Sequence, residues 1–441
     1  MKRYISYKDS GIDWIGMIPE HWEVKKFNYL FSFSRGLAIT KQELKEEGIP
    51  CVSYGEIHSK YGFKVNPEKH QLKNVEIDYL NSSRKSLLNK GDFIFADTSE
   101  DIEGSGNFTC LDSDTLTFAG YHTIIAIQRE KNNFTYLAYF FDSLEFRNQI
   151  RSEVSGIKVF SITNSILKNS YVLLPPQSEQ TAIANFLDRQ TTEIDCLIAD
   201  KKRLIELYEE EKTAIINQAV TKGLNPNVKM KDSGIEWLRE IPEHWEVKRL
   251  KYVATINDET LSENTFGDFE IDYIEISDVK SGIGIIETKR LLFRDAPSRA
   301  RRVVRFGDVI VSTVRTYLKS IAKIDVFKEN LIASTGFAVI RPKIINSHFI
   351  GFLFYSEMLI HEIVSLSTGV SYPAINANRI RDIFIPIPKS CEEQLFIANH
   401  IESECRRINA KVEKTKKLIG FLTEYRTALI SEAVTGKIKV T

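Results

Sequence analysis

Five cysteines, twelve prolines, four methionines and four tryptophans are few for 441 residues, and the chain has no excess charge of either sign. The cysteines (Cys51, Cys110, Cys196, Cys391, Cys405) are odd in number and scattered, without a Cys-x-x-Cys pair. That excludes a disulfide framework or zinc knuckle and fits a reducing cytoplasm. Lysine plus arginine equals aspartate plus glutamate, 59 against 59, so neither a uniformly basic coat nor an acidic tail is present, though a local basic face remains open. No apolar run approaches the ~18 residues of a membrane helix. Met1-Lys2-Arg3-Tyr4 leads into polar sequence rather than the apolar core of a secretion signal. The length suggests about three folding units.

Catalytic signatures are missing too. There is no phosphate loop of the G-x-x-x-x-G-K-[ST] type and no G-x-G-x-x-G turn. Gly104-Ser105-Gly106 and Gly282-Ile283-Gly284 read as hairpin turns. Asn225-Pro226-Asn227-Val228 lacks the aromatic that would stack on a flipped base and reads as a linker turn. None of the eight histidines has metal-ligand spacing, so no metal is expected. Carboxylates such as Asp97/Asp101 and Glu270/Asp272/Glu275 lack a lysine at nuclease spacing. The pattern is that of a binding protein without catalytic residues.

What the chain does have is a copy of itself. Lys8 to Tyr29, KDSGIDWIGMIPEHWEVKKFNY, returns at Lys231 to Tyr252 as KDSGIEWLREIPEHWEVKRLKY, with about two thirds of positions identical. A second matched pair closes each half. Pro175-Pro176 and Glu179-Gln180 open a segment ending Ala219-Val220-Thr221-Lys222-Gly223; Pro386-Ile387-Pro388 and Glu393-Gln394 open one ending Ala433-Val434-Thr435-Gly436-Lys437. Within these segments apolar positions step by seven. Leu187, Ile194, Tyr208 and Ile215 mark the first, with Lys201 in the same register; Ile401, Ile408, Leu422 and Leu429 mark the second, with Thr415. Heptads sustained over several turns predict coiled-coil helices, and the prolines exclude helix before them. Two such stripes in one chain most simply pair with each other. The expected organisation is therefore a first domain over 1–174 (repeat 8–29, variable part 30–174), a helix over 175–223, a second domain over 224–385 (repeat 231–252, variable part 253–385) and a distal helix over 386–441.

The variable parts share only a skeleton. Gly91-Asp92-Phe93-Ile94 matches Gly307-Asp308-Val309-Ile310, each a turn before a β-rich run. Short strands bounded by Gly, Asn and Asp, with one helical stretch per copy (Tyr136–Glu153, Phe349–Leu366), predict an α+β domain around a twisted sheet.

Elements kept nearly identical in otherwise diverged domains must serve something common to both, so Trp14, Trp22, Trp237 and Trp245 read as packing or partner-docking anchors. Arg294, Arg299, Arg301, Arg302 and Arg305 cluster with one opposing Asp295, and Arg315, Tyr317 and Lys319 follow the Gly307-Asp308 strand. Arginine forks grip phosphate or pair bidentately with guanine, so Arg299, Arg301, Arg302, Arg315, Tyr317 and Lys319 are the first DNA candidates. Adjacent arginines cannot all reach base edges, which assigns the 299–302 group mainly to phosphate and Arg315 to a base. In the first copy the equivalent turn is acidic and polar. Ser99 and Glu100 offer acceptors there, or organise the turn, and Lys60 and Lys64 begin a lysine track. A solvated strand face is the competing reading of these charges.

The duplicated D-S-G-I-x-W-[IL]-x-x-I-P-E-H-W-E-V, the proline step before E-Q, the heptad helix ending A-V-T-x-G and the diverged G-D-[FV]-I domains together resemble the specificity (S) subunit of Type I restriction–modification enzymes. The resemblance spans essentially the whole chain. It implies two target-recognition domains joined by two helices in an antiparallel coiled coil with pseudo-twofold symmetry. Each domain would read one half of a bipartite, asymmetric double-stranded DNA target. Two methyltransferase (M) subunits would dock on the conserved parts, and restriction (R) subunits would join them in host defence. S-adenosylmethionine would belong to M, and ATP with Mg²⁺ to R, leaving no cofactor on this chain. Two other classes compete. A single-chain nuclease–methylase has no room in 441 residues filled by the repeat. A duplicated coiled-coil scaffold binding only protein partners would not need two strongly diverged domains.

Overall fold

The computed structural model describes residues 2–156, 158–280 and 282–440. The chain divides into two units, Met1–Lys201 with Lys417–Thr441, and Lys202–Lys416. Each long helix thus gives one half of itself to each unit.

In the first unit the repeated segment begins as a hairpin, Tyr7–Asp9 against Met17–Pro19, and continues as Glu23–Lys26, which pairs antiparallel with Tyr171–Leu174. The last strand before the central helix is therefore stitched to the repeat. Between them stands a five-stranded sheet in the order Phe31–Arg35, Thr123–Gln128, Phe93–Ala96, Phe108–Leu111, Lys64–Val65. A four-stranded sheet follows the order Lys73–Val75, Ile49–Val52, Thr117–Ala119, Leu87–Leu88. Phe93–Ala96 is buried at every position, which explains a continuous apolar run without alternation. The core against the helices is aromatic: Phe27 stacks on Phe31 at 4.3 Å, and Phe141 meets Phe146 at 4.6 Å and Phe93 at 4.9 Å.

The second unit repeats this plan. Met230–Asp232 pairs with Glu240–Pro242, and Glu246–Arg249 with Phe384–Ile387. One sheet has the order Ala254–Ile256, Phe337–Pro342, Val309–Ser312, Ile321–Lys323; the other has Lys289–Leu292, Glu270–Ile274, Leu331–Ser334, Ala300–Val303. Its core is largely aliphatic, with Ile350, Leu353, Leu359, Ile380 and Ile385 fully buried.

Gly91 and Gly307 sit at φ +90° and +86°, where a Cβ is disfavoured. The aspartate after each is buried and accepts a backbone N–H three residues earlier, from Asn89 and Arg305, both at 2.8 Å. That turn launches the strand, which accounts for the shared Gly-Asp.

Each single helix expected over 136–153 and 349–366 is instead two: Phe134–Asp142 and Leu144–Arg151, then Ser347–Tyr355 and Glu357–Ser365. Ser143 and Ser356 break them in extended conformation. Each hydroxyl donates backward to a carbonyl (Phe140, Leu353) at 2.6 Å and accepts the N–H of Phe146 or Leu359 at 3.4 Å. Buried serine, satisfied on both sides, wins over helix continuity.

The central helix is Gln177–Lys222 and the distal helix Cys391–Val434. In the first unit Leu187, Ile194 and Leu429 are buried with Leu422 beside them, and Asp195 pairs with Arg426 at 2.9 Å. In the second, Ile401 and Ile408 are buried, Glu211 pairs with Arg407 at 2.9 Å, and Lys212 reaches Asn409 at 3.2 Å. There Ile216, Ala219 and Val220 share a core with Ile401, Ala398 and Ile397, so one helix ascends as the other descends: the pair is antiparallel. Tyr208 is half-buried beneath Lys411. Ile215 is only half-buried, and Ile216 takes the enclosed place. From Leu187 to Ile216 is about eight turns at 3.6 residues each, so the stripe drifts one residue from a strict heptad.

Candidate nucleic-acid interface

The E-H-W and E-Q motifs meet in space. Trp22 Nε1 donates to Glu179 Oε2 at 3.1 Å, Tyr4 OH donates to the same oxygen at 3.0 Å, and His21 Nε2 lies 2.6 Å from Oε1. In the second unit Trp245 Nε1 donates to Glu393 Oε1 at 2.9 Å and His244 Nε2 stands at 3.0 Å. Burial works to raise the Glu179 pKa, but hydrogen bonds from His21, Trp22 and Tyr4 outweigh it and hold the carboxylate below its ordinary value. The neighbouring glutamine does a second job: Gln180 and Gln394 accept from the backbone N–H of Asn133 and Asn346, the residues that cap helices Phe134–Asp142 and Ser347–Tyr355.

The A-V-T-x-G ends close on the same tryptophans. Gly436 has φ +73°, and a Cβ there would lie 2.3 Å from Pro19 and 3.2 Å from Trp22; Gly223 has φ +72°, with Trp245 at 3.4 Å. Each tryptophan is thus held between the start of one long helix and the end of the other. Trp22 and Trp245 have no exposed surface, so their contacts are internal. Trp14 is 53% exposed, and Trp237, half-buried, lines a groove with Arg379 and Phe384.

The diverged chemistry lies at the far end of the Gly-Asp strand. In the first unit Thr98–Ser99 pairs with Phe160–Ser161. His58 Nε2 donates to the Thr98 carbonyl at 2.9 Å, Asn107 Nδ2 donates to His58 Nδ1 at 2.8 Å, and Arg147 holds Asn107 Oδ1 at 2.5 Å. His58, Thr98 and Asn107, with Glu100 and Val159, border a cleft of about 610 Å³. Ser99 is buried, and its hydroxyl accepts from Asp101 N at 3.4 Å, so it organises the turn, whereas Glu100 is exposed. Lys60 is exposed with Glu56 at 3.9 Å, and Lys64 is turned to Asp188 at 3.4 Å and the Phe63 ring.

In the second unit Val314 bridges Ala374, and Arg315 N donates to Pro373 O at 2.7 Å. Arg315 and Lys319 flank the turn Thr316–Leu318 at φ +50° and +54°. Arg315 is exposed with its guanidinium 4.6 Å from the Tyr372 ring centre. Tyr317 is 49% exposed, and Lys319 faces Glu357 at 3.6 Å.

The arginine cluster is dispersed. The pairing register of strand Ala300–Val303 shifts between Ala300 and Arg302, and the arginines in and around it are engaged locally. Arg299 is ion-paired with Glu275 and donates to Tyr273 OH, Arg301 lies 4.7 Å over Phe293, and Arg305 meets Glu259 at 2.8 Å. Arg302 donates to Thr260 at 3.3 Å and is desolvated, which lowers its pKa. Residues 299–302 therefore do not form one open cationic face with Arg315. Reasoning from sequence missed Tyr372, His58 and Asn107, because each acquires its role only from a loop or helix distant along the chain. The pairing of Asp308 with Arg341 at 2.9 Å is likewise invisible in the sequence. No group of residues able to hold a metal ion occurs among the described residues.

The family model described as the Type I restriction modification DNA specificity domain matches the chain twice, over residues 19–207 and 242–418. The chain belongs to this family.

Both matches begin at the I-P-E-H-W segment, so the specificity domain and the duplication coincide. Similar specificity subunits are those of Type I restriction enzyme MjaVIII from Methanocaldococcus jannaschii, 27% identical over 96% of this chain and 94% of that one, and EcoBI from Escherichia coli, 22% identical over 76% and 72%. The fold is shared with a chain solved in a study of complex assembly in a type I R-M system (TM-score 0.69, 17% identity, 96% of this chain and 99% of that one). It is also shared with the HsdS subunit of Thermoanaerobacter tengcongensis (TM-score 0.56, 18% identity, 96% and 98%). No helix among the described residues of this specificity-family chain is long and apolar enough to cross a membrane.

Proposed function

We propose that this chain is the non-catalytic DNA-reading subunit of a Type I restriction–modification complex, each unit reading one half of a bipartite, asymmetric target. One observation carries the reading: the specificity domain occurs once per copy, and the copies agree in the frame while differing at the loops beyond the Gly-Asp strand. A frame kept twice suits a partner met twice, here two methyltransferase subunits, and loops that differ suit two different half-sites. S-adenosylmethionine would be supplied by the methyltransferase subunits, and ATP with Mg²⁺ by the restriction subunits that join them. The paired helices would set the distance between half-sites.

The test is to express the chain with its cognate methyltransferase and map methylated adenines genome-wide. The expected pattern is one bipartite motif with a fixed spacer. Exchanging residues 30–174 for those of another family member should change one half of the motif and leave the other. A continuous motif, or both halves changing together, would overturn the modular reading.

A further inference from the structure

Arg290, Arg294, Arg299 and Arg305 each face a carboxylate, while Arg301 and Arg302 are half-buried and hydrogen-bonded to Ala300 O and Thr260. Arg315 differs from all of them. It is exposed, and among the described residues its guanidinium has neither ion pair nor hydrogen bond; it lies against the face of Tyr372, itself 63% exposed. The platform is built rather than incidental. Val314 bridges Ala374, Arg315 N donates to Pro373 O, and the Thr316 and Ser367 hydroxyls meet at 2.8 Å. Two residues with Cβ atoms, Arg315 and Lys319, occupy left-handed backbone within this short segment. Such conformations persist where surrounding structure holds them and concentrate at functional sites.

We propose that Arg315, lying over the Tyr372 ring, reads a guanine in the half-site of the second unit, its guanidinium fork donating to O6 and N7 in the major groove. This rests on the DNA-reading function proposed above. The chemistry favours a base edge over a phosphate. Phosphate needs only a nearby charge, which a mobile side chain supplies. A base edge needs a planar, bidentate donor in one orientation, and stacking on an aromatic ring fixes that plane while leaving the N–H groups available. Tyr372 acts through Arg315 and is a positioning residue. In the first unit the equivalent turn is Thr98-Ser99-Glu100, without a cation, so the same contact is not expected there.

The test compares the wild-type complex with R315K, R315A, Y372F and Y372A variants, each with the cognate methyltransferase, by methylation mapping and by binding to duplexes carrying single substitutions in the mapped motif. R315K keeps the charge and loses the fork. Discrimination at one G·C pair should fall about ten- to a hundredfold in R315K and R315A, with the other half-site unchanged. Y372A should relax the same base pair and Y372F should restore it. An unchanged motif in R315K overturns the assignment. So does relaxation in the other half-site, and so does an equal loss on every duplex with the salt slope reduced by about 1, the signature of a phosphate contact. If the wild-type complex marks no bipartite motif, the DNA-reading function itself fails; if it does and R315K is silent, only the guanine contact fails.

Discussion

The loops beyond Ala96 and Ser312 leave equivalent strands after equivalent Gly-Asp turns, yet one ends in an acidic turn beside a cleft and the other in an arginine over a tyrosine ring. What they share is how they are held. Thr98 and Ser99 pair with Ser161 and Phe160 through the main chain, and Val314 with Ala374 likewise. Main-chain pairing constrains the path of a loop and not its side chains. The frame therefore fixes where each loop stands, and the side chains are free to differ.

The largest way to break the comparison is at the frame itself. Trp22→Ala and Trp245→Ala each empty a site with no exposed surface and remove one donor from a glutamate, so each should cost about 3–5 kcal/mol by chemical denaturation. Methylation that survives should keep its motif; a new motif would assign these tryptophans to base reading. The Gly-Asp turns sharpen the contrast further. Asp308 is buried against Arg341, whereas among the described residues Asp92 has only local amide donors from Asn89. Asp308→Asn should cost about 2–3 kcal/mol because it removes the buried carboxylate charge that faces the Arg341 guanidinium, and Asp92→Asn about 1 kcal/mol. Equal losses would mean that Arg341 finds enough in Asp258 and Glu259, which it also contacts.

Ser143→Ala and Ser356→Ala should each lower stability by about 1 kcal/mol, equally in both units, since the helix break is built the same way twice. Unequal unfolding midpoints would show that the breaks differ in their surroundings. The smallest effect is on the acid side. The Glu179 pKa is depressed in the folded state, so its contribution is present above the unfolded value of about 4.3 and is lost as pH falls through the folded value. Glu179→Gln should flatten that part of the stability–pH profile; an unchanged slope below about pH 4.3 would assign it to other carboxylates.

Much of the frame was legible because it is local or periodic. Heptad stripes, flanking prolines and terminal glycines announce two helices, and a repeated segment announces two domains. The candidate site was legible only in part. Arg315 stood out by following the Gly-Asp strand, but Arg299, Arg301 and Arg302 looked alike in a string of letters and part company only when Glu275, Phe293 and Thr260 come beside them. Ser143 and Ser356 are not legible as helix breaks, because one serine in a helical pattern gives no sign of being buried. Tyr372 gave no sign either, since its partner lies on another loop.

The sequence by itself determined the duplication, the two long helices and the absence of recognisable catalytic motifs, because these depend on identity, periodicity and spacing along the chain. Only the tertiary structure decided that Trp22 and Trp245 are enclosed between helix ends while Trp14 is exposed, that the heptad seam slips from Ile215 to Ile216, and that Arg315 is exposed and set on an aromatic face. Burial and charge pairing depend on which distant segments meet, and a guanidinium beside a carboxylate differs chemically from one beside a tyrosine.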